Sequence, residues 1–520
     1  MSLFSATLHP NVGLGFILLG ASLHDILTRL KAEPQRFPKL HLSYSSSQPV
    51  TDPVVLNLPA NGIRLRFDGP EQRLRLIEII DFTKNRITYQ DKDIAKPSQG
   101  VLGSPRSGGD PTTGPAFKNV YHRLFGPTYA GEYIPSEDHS GLGRYILSYP
   151  GVAFSFPLPT VAYSPDKDVV SLLSSSASQT ATSVAVFSGK SWAHAREALW
   201  TEVVPSVKSA FLFGKSKEVV PDEVSLVKIH GGGRLQLYKK WSSLCMWINL
   251  GETSPQELVA ELGPPDAIYR KNDQRMYIHK PRTASHSRSR SNGGDYKRPD
   301  ELTDTDQSSS HTASDGSDDE VIEDEFIGNV SGECFYNYFY LGFDVLLSPP
   351  QSPSRMPPSQ AEMTGEQAAG ENPLKNANSD RLVAMKVVLH GNVPGSYPFN
   401  RHRRCRWEIA YLDSPALESA INSETLFNEI EESLREEWRC TYASEDDARR
   451  RQRGMVLNRG WGDSPGSSCE FLGGWEDSSG GMAAAKKYDG SEESTTTLYG
   501  FPGLVFEVLK NGFVSAVTVY

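Results

Sequence analysis

The sequence has no Cys-x-x-Cys pair and no long hydrophobic run. Its five cysteines are odd in number and widely spaced, a pattern that favours free thiols in a reducing compartment over the disulfide framework of a secreted protein. The N-terminal apolar run, residues 12–19, is far shorter than the ~20 residues of a membrane-spanning helix and has no basic flank. We therefore predict a chain without a signal peptide or membrane span that is made and kept in the cytosol.

An excess of positive charge is also missing, since the formal net charge is −10. Proteins dedicated to nucleic-acid binding present an extended basic surface, so this charge disfavours a nucleic-acid partner. Hydrophobic residues make up 38% and aromatic residues 10% of the chain, which is enough to bury a β-rich core. The length leaves room for several domains, and the low-complexity stretches reduce this to two compact units or one closely packed pair.

Motifs for catalysis, cofactor binding and metal ligation are absent from the sequence. There is no Gly-x-Ser-x-Gly elbow, and Gly231–Gly233 lacks the Lys-Ser/Thr and the following helix of a phosphate-binding loop. His279, His390 and His402 lie nearest predicted strands, but none has a second ligand two, three or four residues away in a metal-type pattern. We predict no catalytic residue, no cofactor and no metal ion, and structural or surface roles for the histidines.

The strongest pattern that is present is a β-hairpin over residues 62–81. Apolar and polar residues alternate there, and the alternation is interrupted once, at Asp68-Gly69-Pro70, where a tight turn is expected. The apolar residues of the predicted core face are Ile63, Leu65, Phe67, Leu74 and Leu76. The same two strands recur at 342–347 and 381–389, where a Pro- and Ser-rich stretch replaces the turn.

Helix signals recur in the same way. Ser22 with Asp25, and Ser254 with Glu257, have the spacing of a capping box at the start of an amphipathic segment. Further helices are predicted at 117–125 and 426–438, followed by hairpins formed by 149–156 with 182–187 and by 501–508 with 513–520. Each half of the chain therefore reads as helix, hairpin, helix, hairpin.

These patterns predict an α+β protein of two similar halves, each with helices packed on antiparallel β-hairpins, and with long disordered inserts. The predicted units are a first half at 1–190, a bridging β segment at 191–247, the start of the second half at 248–400, and its remainder at 401–520. Inserts are predicted at about 281–329, 348–380 and 441–496 from their Ser, Gly, Pro and charge content. Bridging strands are expected at 224–229, 235–238 and 246–250, and their pairing is left open.

One basic cluster lies on an ordered segment and consists of Arg401, Arg403, Arg404 and Arg406. Such a cluster can contact anionic lipid or an acidic partner surface, at about 1 kcal/mol per basic residue near an anionic membrane. In the alternative, the arginines are the solvated side of a strand whose Cys405 and Trp407 face inward. Both interpretations place the guanidinium groups at the surface.

Several segments together resemble the phagophore assembly factor family of eukaryotes. The most specific are the Phe-Tyr-Asn-Tyr-Phe block at 335–339 and the Pro-Gly-x-Tyr-x-Phe-Asn block at 394–400. Further matching segments are 56–58, 62–81, 262–265, 276–279, 341–344, 389–390, 506–508 and 516–518. The long inserts are similar to those of a fungal member.

The resemblance implies a non-enzymatic scaffold or adaptor in autophagy. The animal member of this family acts with a β-propeller autophagy protein that associates with phosphoinositides at the phagophore assembly site, so the resemblance implies membrane contact either directly or through such a partner. The implied location is cytoplasmic and peripheral at the phagophore assembly site. The runner-up is a membrane-trafficking adaptor at Golgi or endosomal membranes. A hydrolase is less favoured, because it needs polar residues gathered from both halves into one deep cleft.

Overall fold

The structure is a computed structural model that describes residues 4–95, 114–136, 141–174, 180–205, 222–242, 244–270, 332–350, 381–412, 420–458 and 495–520. The predicted insert at 281–329 lies outside the described residues, as do 351–380 and 459–494 of the other two inserts. The start of the third predicted insert is ordered, because residues 445–451 form a helix and residues 455–458 form a strand.

Strands of the first half form two sheets. Within the described residues, β3-β2-β1-β8-β9 form a five-stranded sheet in which β1 and β8 are parallel, and β10-β11-β12-β13-β7-β6-β5-β4 form an eight-stranded antiparallel sheet. The strands are β1 (Phe4–His9), β2 (Gly13–Leu14), β3 (Ile17–Leu18), β4 (His41–Ser43), β5 (Val54–Leu58), β6 (Ile63–Phe67), β7 (Leu74–Ile79), β8 (Asn85–Tyr89), β9 (Lys92–Ala95), β10 (Glu132–Ile134), β11 (Leu142–Tyr149), β12 (Val152–Pro159) and β13 (Ser183–Val186).

Strands of the second half repeat this order. Among the described residues, β16-β15-β14-β21 form a small sheet with β14 and β21 parallel, and β17-β18-β19-β20-β25-β24-β23-β22 form a second eight-stranded antiparallel sheet. The strands are β14 (Val224–His230), β15 (Arg234–Lys239), β16 (Cys245–Asn249), β17 (Ala267–Arg270), β18 (Cys334–Tyr338), β19 (Phe343–Ser348), β20 (Val383–His390), β21 (Trp407–Ile409), β22 (Met455–Asn458), β23 (Thr495–Phe501), β24 (Leu504–Leu509) and β25 (Val514–Val519). The α+β class with two similar halves is confirmed.

The predicted hairpins lie at matching places in the two large sheets. β6 and β7 are the third and fourth strands counted from β4, and β19 and β20 are the third and fourth counted from β17. The bridging strands belong to the small sheet of the second half, where β14 pairs with β21 so that Val227 lies opposite Trp407. That pairing joins distant segments of the chain, which is why the alternation within each strand does not disclose it.

The helices are short and lie against these sheets. They are α1 (Leu23–Ala32), α2 (Phe117–Asn119) continued by a π-helical turn (Val120–Leu124), α3 (Val169–Leu173), α4 (Trp192–Glu197), α5 (Pro255–Leu262), α6 (Phe427–Glu437) and α7 (Glu445–Arg451). Ser22 Oγ accepts the Asp25 N–H at 3.1 Å, and Ser254 with Glu257 forms a complete capping box, as predicted. In the part of the chain that the structure describes, no helix is long and apolar enough to cross a membrane.

Each half has its own hydrophobic core. Phe67, Phe154 and Phe156 are fully buried in the first, and Trp407 and Phe506 are among the most buried side chains of the second. Complete burial of one such side chain stabilises the folded state by about 1.5–3 kcal/mol. The halves meet through a small apolar cluster of Val50, Val393 and Phe513 and through the polar segments described next.

Candidate functional site

The basic cluster lies in the loop between β20 and β21, which is packed between the two halves. Arg403 is 2% exposed and Arg404 is 5% exposed, whereas Arg401 is exposed and Arg406 is partly exposed. Cys405 and Trp407 face inward, as one of the two interpretations expects. Because their guanidinium groups are enclosed, Arg403 and Arg404 cannot reach a membrane surface, and lipid or partner contact stays a prediction for Arg401 and Arg406.

Arg403 is held by acids from two distant segments. Its guanidinium forms an ion pair with Asp25 of α1 and a second with Glu223, in which Nη1 is 3.1 Å from Oε1. It also lies over the ring of Tyr340, 3.9 Å from the centroid. Glu223, itself 2% exposed, forms a second ion pair, in which Arg73 Nη1 lies 2.6 Å from its Oε2. The first half therefore contributes both an acid and a base to this buried network.

Arg404 and Arg406 continue the network on the other side of the loop. Arg404 donates to the carbonyl oxygens of Pro70 and Gly391, both at 2.7 Å. Glu424 accepts from Arg406 Nε at 3.0 Å and from Arg404 Nη2 at 3.3 Å. Such multiple hydrogen bonds offset the desolvation of a buried guanidinium group.

Further hydrogen bonds, both neutral and charged, link the two halves. The Gln72 and Asn392 side chains are joined at 2.8 Å, and Gln72 also donates to the Asn392 carbonyl at 2.8 Å. Lys240 Nζ lies 2.5 Å from Glu71. We call this set the junction. Its residues are Asp25, Glu71, Gln72, Arg73, Glu223, Lys240, Asn392, Arg403, Arg404, Arg406 and Glu424.

The carboxyl groups of the junction have pKa values below their ordinary range. These are Asp25, Glu71, Glu223 and Glu424. Burial on its own raises each pKa, and the adjacent cations outweigh it, chiefly Arg403 beside Asp25 and Glu223. The ionised form of each of these four carboxyl groups therefore stabilises the folded state.

We expect acid to destabilise the protein through the junction. A carboxyl group whose pKa is lowered by folding contributes stability that is complete above its unfolded pKa of about 4, and this stability is lost as the pH falls through the folded pKa. As the pH drops below about 4, the free energy of unfolding should decrease by up to about 1.4 kcal/mol per pH unit for each group. Urea unfolding between pH 7 and pH 3 measures this. Glu424→Gln should flatten the slope, and an unchanged free energy down to pH 3 would contradict the expectation.

A second polar cluster, the Asp–His–His cluster, consists of Asp344, His390 and His402. The Nε2 atoms of His390 and His402 lie 2.8 Å from Oδ2 and Oδ1 of Asp344, and the two rings stack with centroids 3.7 Å apart. Burial, together with the neighbouring His390, lowers the pKa of His402 to about 4, and the hydrogen bonds from both rings hold the pKa of Asp344 well below its usual range against the effect of burial. His279 lies outside the described residues.

Sequence reasoning missed this cluster because its three residues come from β19, the end of β20 and the loop after it. A search for ligands a few residues apart in sequence cannot find a cluster of this kind. The signal that was available is the repeat, because β19 and β20 were predicted to pair, and that pairing places Asp344 near the end of β20.

An apolar groove of about 440 Å³ lies in the second half. One histidine and two tyrosines supply its titratable side chains, and the rest of its wall is glycine and apolar residues. The wall residues used below are Gly231, Leu250, Gly251, Trp438, Gly503 and Tyr520. A mostly apolar wall with few polar groups is typical of a binding site.

The same place exists in the first half, and backbone hydrogen bonds identify it. Gly20 donates to Leu74 at 2.8 Å, as Gly251 donates to Ala384 at 2.8 Å. In the same way Phe187 donates to the carbonyl of Gly151 at 3.1 Å, as Tyr520 donates to that of Gly503 at 3.1 Å. Gly20 and Gly151 are therefore the structural counterparts of Gly251 and Gly503.

In the first half this place is covered by the chain itself. Residues 188–205, which include α4 and which we call the strap, cross it and leave a residual cavity of about 20 Å³. A Cβ atom added to Gly20 would lie 2.4 Å from the carbonyl oxygen of Pro205, whereas one added to Gly251 would have no described atom within 4 Å. As far as the described residues show, the groove of the second half is the open form of a place that the strap fills in the first.

Comparison with known proteins covers both halves. The model of a family described as phagosome assembly factor 1 matches residues 13–296 and 372–520. A PHAF1 protein of Arabidopsis thaliana is 23% identical and covers 99% of this chain and 92% of its own length. One of Drosophila melanogaster is 20% identical, with coverages of 98% and 93%, and one of Caenorhabditis elegans is 27% identical over 152 residues. No solved structure matches the chain.

Proposed function

The chain belongs to the phagosome assembly factor 1 family, and we propose that it is a non-enzymatic scaffold or adaptor in autophagy, recruited with a β-propeller protein to the phagophore assembly site. The family description supports a role in assembly. The matched residues lie in both halves, so the proposal concerns the paired architecture as a whole.

The open groove is the observation that carries the adaptor role. Its apolar wall, with Trp438 and Tyr520 at its sides, suits an apolar segment that buries one or two large side chains. The strap shows which kind of segment fits this place, because it combines extended chain with the short helix α4. We infer that a strap-like apolar segment of the propeller protein occupies the groove.

Contact with phosphoinositides has two routes in this proposal. The propeller protein supplies the first. The second is direct contact through Arg401 and Arg406, since Arg403 and Arg404 are enclosed in the junction. Removing both accessible arginines leaves liposome binding of the complex unchanged if the partner alone provides the contact.

The test fills the groove without disturbing the fold. Gly231 has ordinary backbone geometry and open space around an added Cβ, so Gly231→Trp places a large side chain in the groove without strain. We expect its unfolding free energy to stay within about 0.5 kcal/mol of wild type. Co-purification of the propeller protein should fall at least tenfold, because a blocked central pocket removes a contribution of about 2 kcal/mol or more.

The matched control is Val161→Trp, which adds the same side chain at a position that is 98% exposed in the first half. This variant should retain the partner and relocate on starvation as wild type does. Undiminished partner recovery by Gly231→Trp would show that the groove is not the docking surface. A wild-type protein that stays diffuse on starvation and recovers no propeller partner would overturn the adaptor role, and colocalisation with Golgi or endosomal markers would favour a trafficking adaptor.

A further inference from the structure

We propose that Asp344, His390 and His402 bind one divalent transition metal ion, with zinc as the best fit. Their candidate ligand atoms all lie within 4.8 Å of one another. Two imidazole nitrogens with one carboxylate oxygen form a ligand set that zinc prefers, and such three-residue sets leave a fourth position for water. The proposal does not depend on the role in autophagy.

The ligands are held in place by the backbone around them. Asp344 pairs with Val388 in the ladder between β19 and β20, so the two strands fix the distance from Asp344 to His390. The loop that carries His402 is tied down because Cys405 N–H donates to the His390 carbonyl at 2.8 Å. Ligands that are positioned before the ion arrives lose little freedom when it binds.

The two nitrogen–oxygen distances require only a small adjustment. Zinc bonds of about 2.0–2.2 Å in a tetrahedral arrangement put ligand atoms roughly 3.3 Å apart. The two nitrogen–oxygen distances are 2.8 Å, so each imidazole must move back by about half an ångström as it exchanges its N–H···O bond for a bond to the ion. His390 has 17% of its side chain exposed and Asp344 has 12%, which gives the ion and a water ligand a path.

A neighbouring residue orients the carboxylate. Asn337 Nδ2 donates to Asp344 Oδ1 at 2.9 Å, which is the kind of hydrogen bond that holds a carboxylate ligand in one orientation. An ion at this site would link β19, β20 and the loop that carries His402. The residue that follows His402 in that loop is Arg403 of the junction. The ion would therefore brace the segment that carries the junction.

The experiment uses the full chain, purified with a tag that contains no histidine. We expect about one zinc per chain by elemental analysis, and a rise of a few degrees in the thermal midpoint when zinc, and not magnesium, is added after removal of bound metal. Cobalt(II) should produce the visible absorption of a tetrahedral site. A wild-type chain that binds no zinc and gives no cobalt spectrum would overturn the proposal and leave a hydrogen-bonded cluster.

Two variants separate ligation from folding. His390→Gln retains a hydrogen-bond donor toward Asp344 and removes an imidazole ligand, so zinc affinity should fall at least tenfold and the cobalt absorption should disappear. His41→Gln replaces an exposed histidine on β4, outside the cluster and the groove, and should keep both. Equal zinc content and equal cobalt spectra in wild type and His390→Gln would count decisively against the site, whatever the stability of the variant.

Discussion

Replacement of Arg403 by methionine is expected to lower the free energy of unfolding by about 3–5 kcal/mol. The side chain is 2% exposed and pairs with Asp25 and with Glu223, which is equally enclosed. Methionine fills part of the same volume but provides no charge. Both carboxylates then lose a cation, and the main cost is that of the buried, partly unpaired charge of Glu223, because the Asp25 side chain is 26% exposed.

Urea unfolding followed by fluorescence measures this loss. The control is Arg435→Met, which breaks an exposed pair with Glu431 in α6, where the arginine side chain is 51% exposed. Exposed pairs of this kind contribute about 0.2–1 kcal/mol, so the control should be nearly neutral. A loss for Arg403→Met as small as that of the control would show that the junction does not hold the halves together.

Trp407→Ala should destabilise the protein by a similar amount, about 3–5 kcal/mol. Trp407 is 1% exposed and packs edge-on against Phe506, with ring centroids 6.1 Å apart. It lies on β21, the strand that pairs with β14 across a long stretch of chain. Truncation leaves a cavity in the second core, and the surrounding strands can collapse into it only in part.

The matched control is Trp247→Ala on β16, where the indole is 43% exposed. Because an indole this exposed buries little apolar surface on folding, we expect its removal to change the free energy of unfolding by less than about 1 kcal/mol. Hydrogen exchange adds a local readout, since β14 and β21 should lose protection in Trp407→Ala first. Equal losses in the two tryptophan variants would mean that Trp407 is not part of the core.

Much of the fold could be predicted from local patterns. Alternation over 62–81 predicts the buried residues of β6 and the start of β7, and the repeat of that pattern locates β19 and β20. The prediction is wrong for Leu76, which packs in a separate cluster with Phe187 and Ala195, whereas Ile77 and Ile79 join the core that holds Leu74. The capping residues Ser22 and Ser254 likewise specify where α1 and α5 begin. These features depend on side chains only a few residues apart, so the sequence displays them directly.

The basic cluster shows where such reasoning fails. A run of arginines in sequence is typical of a solvated surface, because burying a guanidinium group without a partner is costly. Asp25, Glu223 and Glu424 remove that cost here, and each comes from a different part of the chain. Burial of Arg403 and Arg404 could therefore not be predicted before their partners were known.

By itself the sequence determined the strands, the helix starts and the duplication, because these follow from the alternation and capping of neighbouring residues. Only the tertiary structure decided which of the two equivalent grooves of the duplicated fold is covered and which is open. The strap covers one groove because chain entering from β13 crosses it, and the counterpart beside Gly251 lies open in the described residues. The Asp–His–His cluster and the junction have the same origin, since both join side chains that only long-range packing brings within a few ångströms.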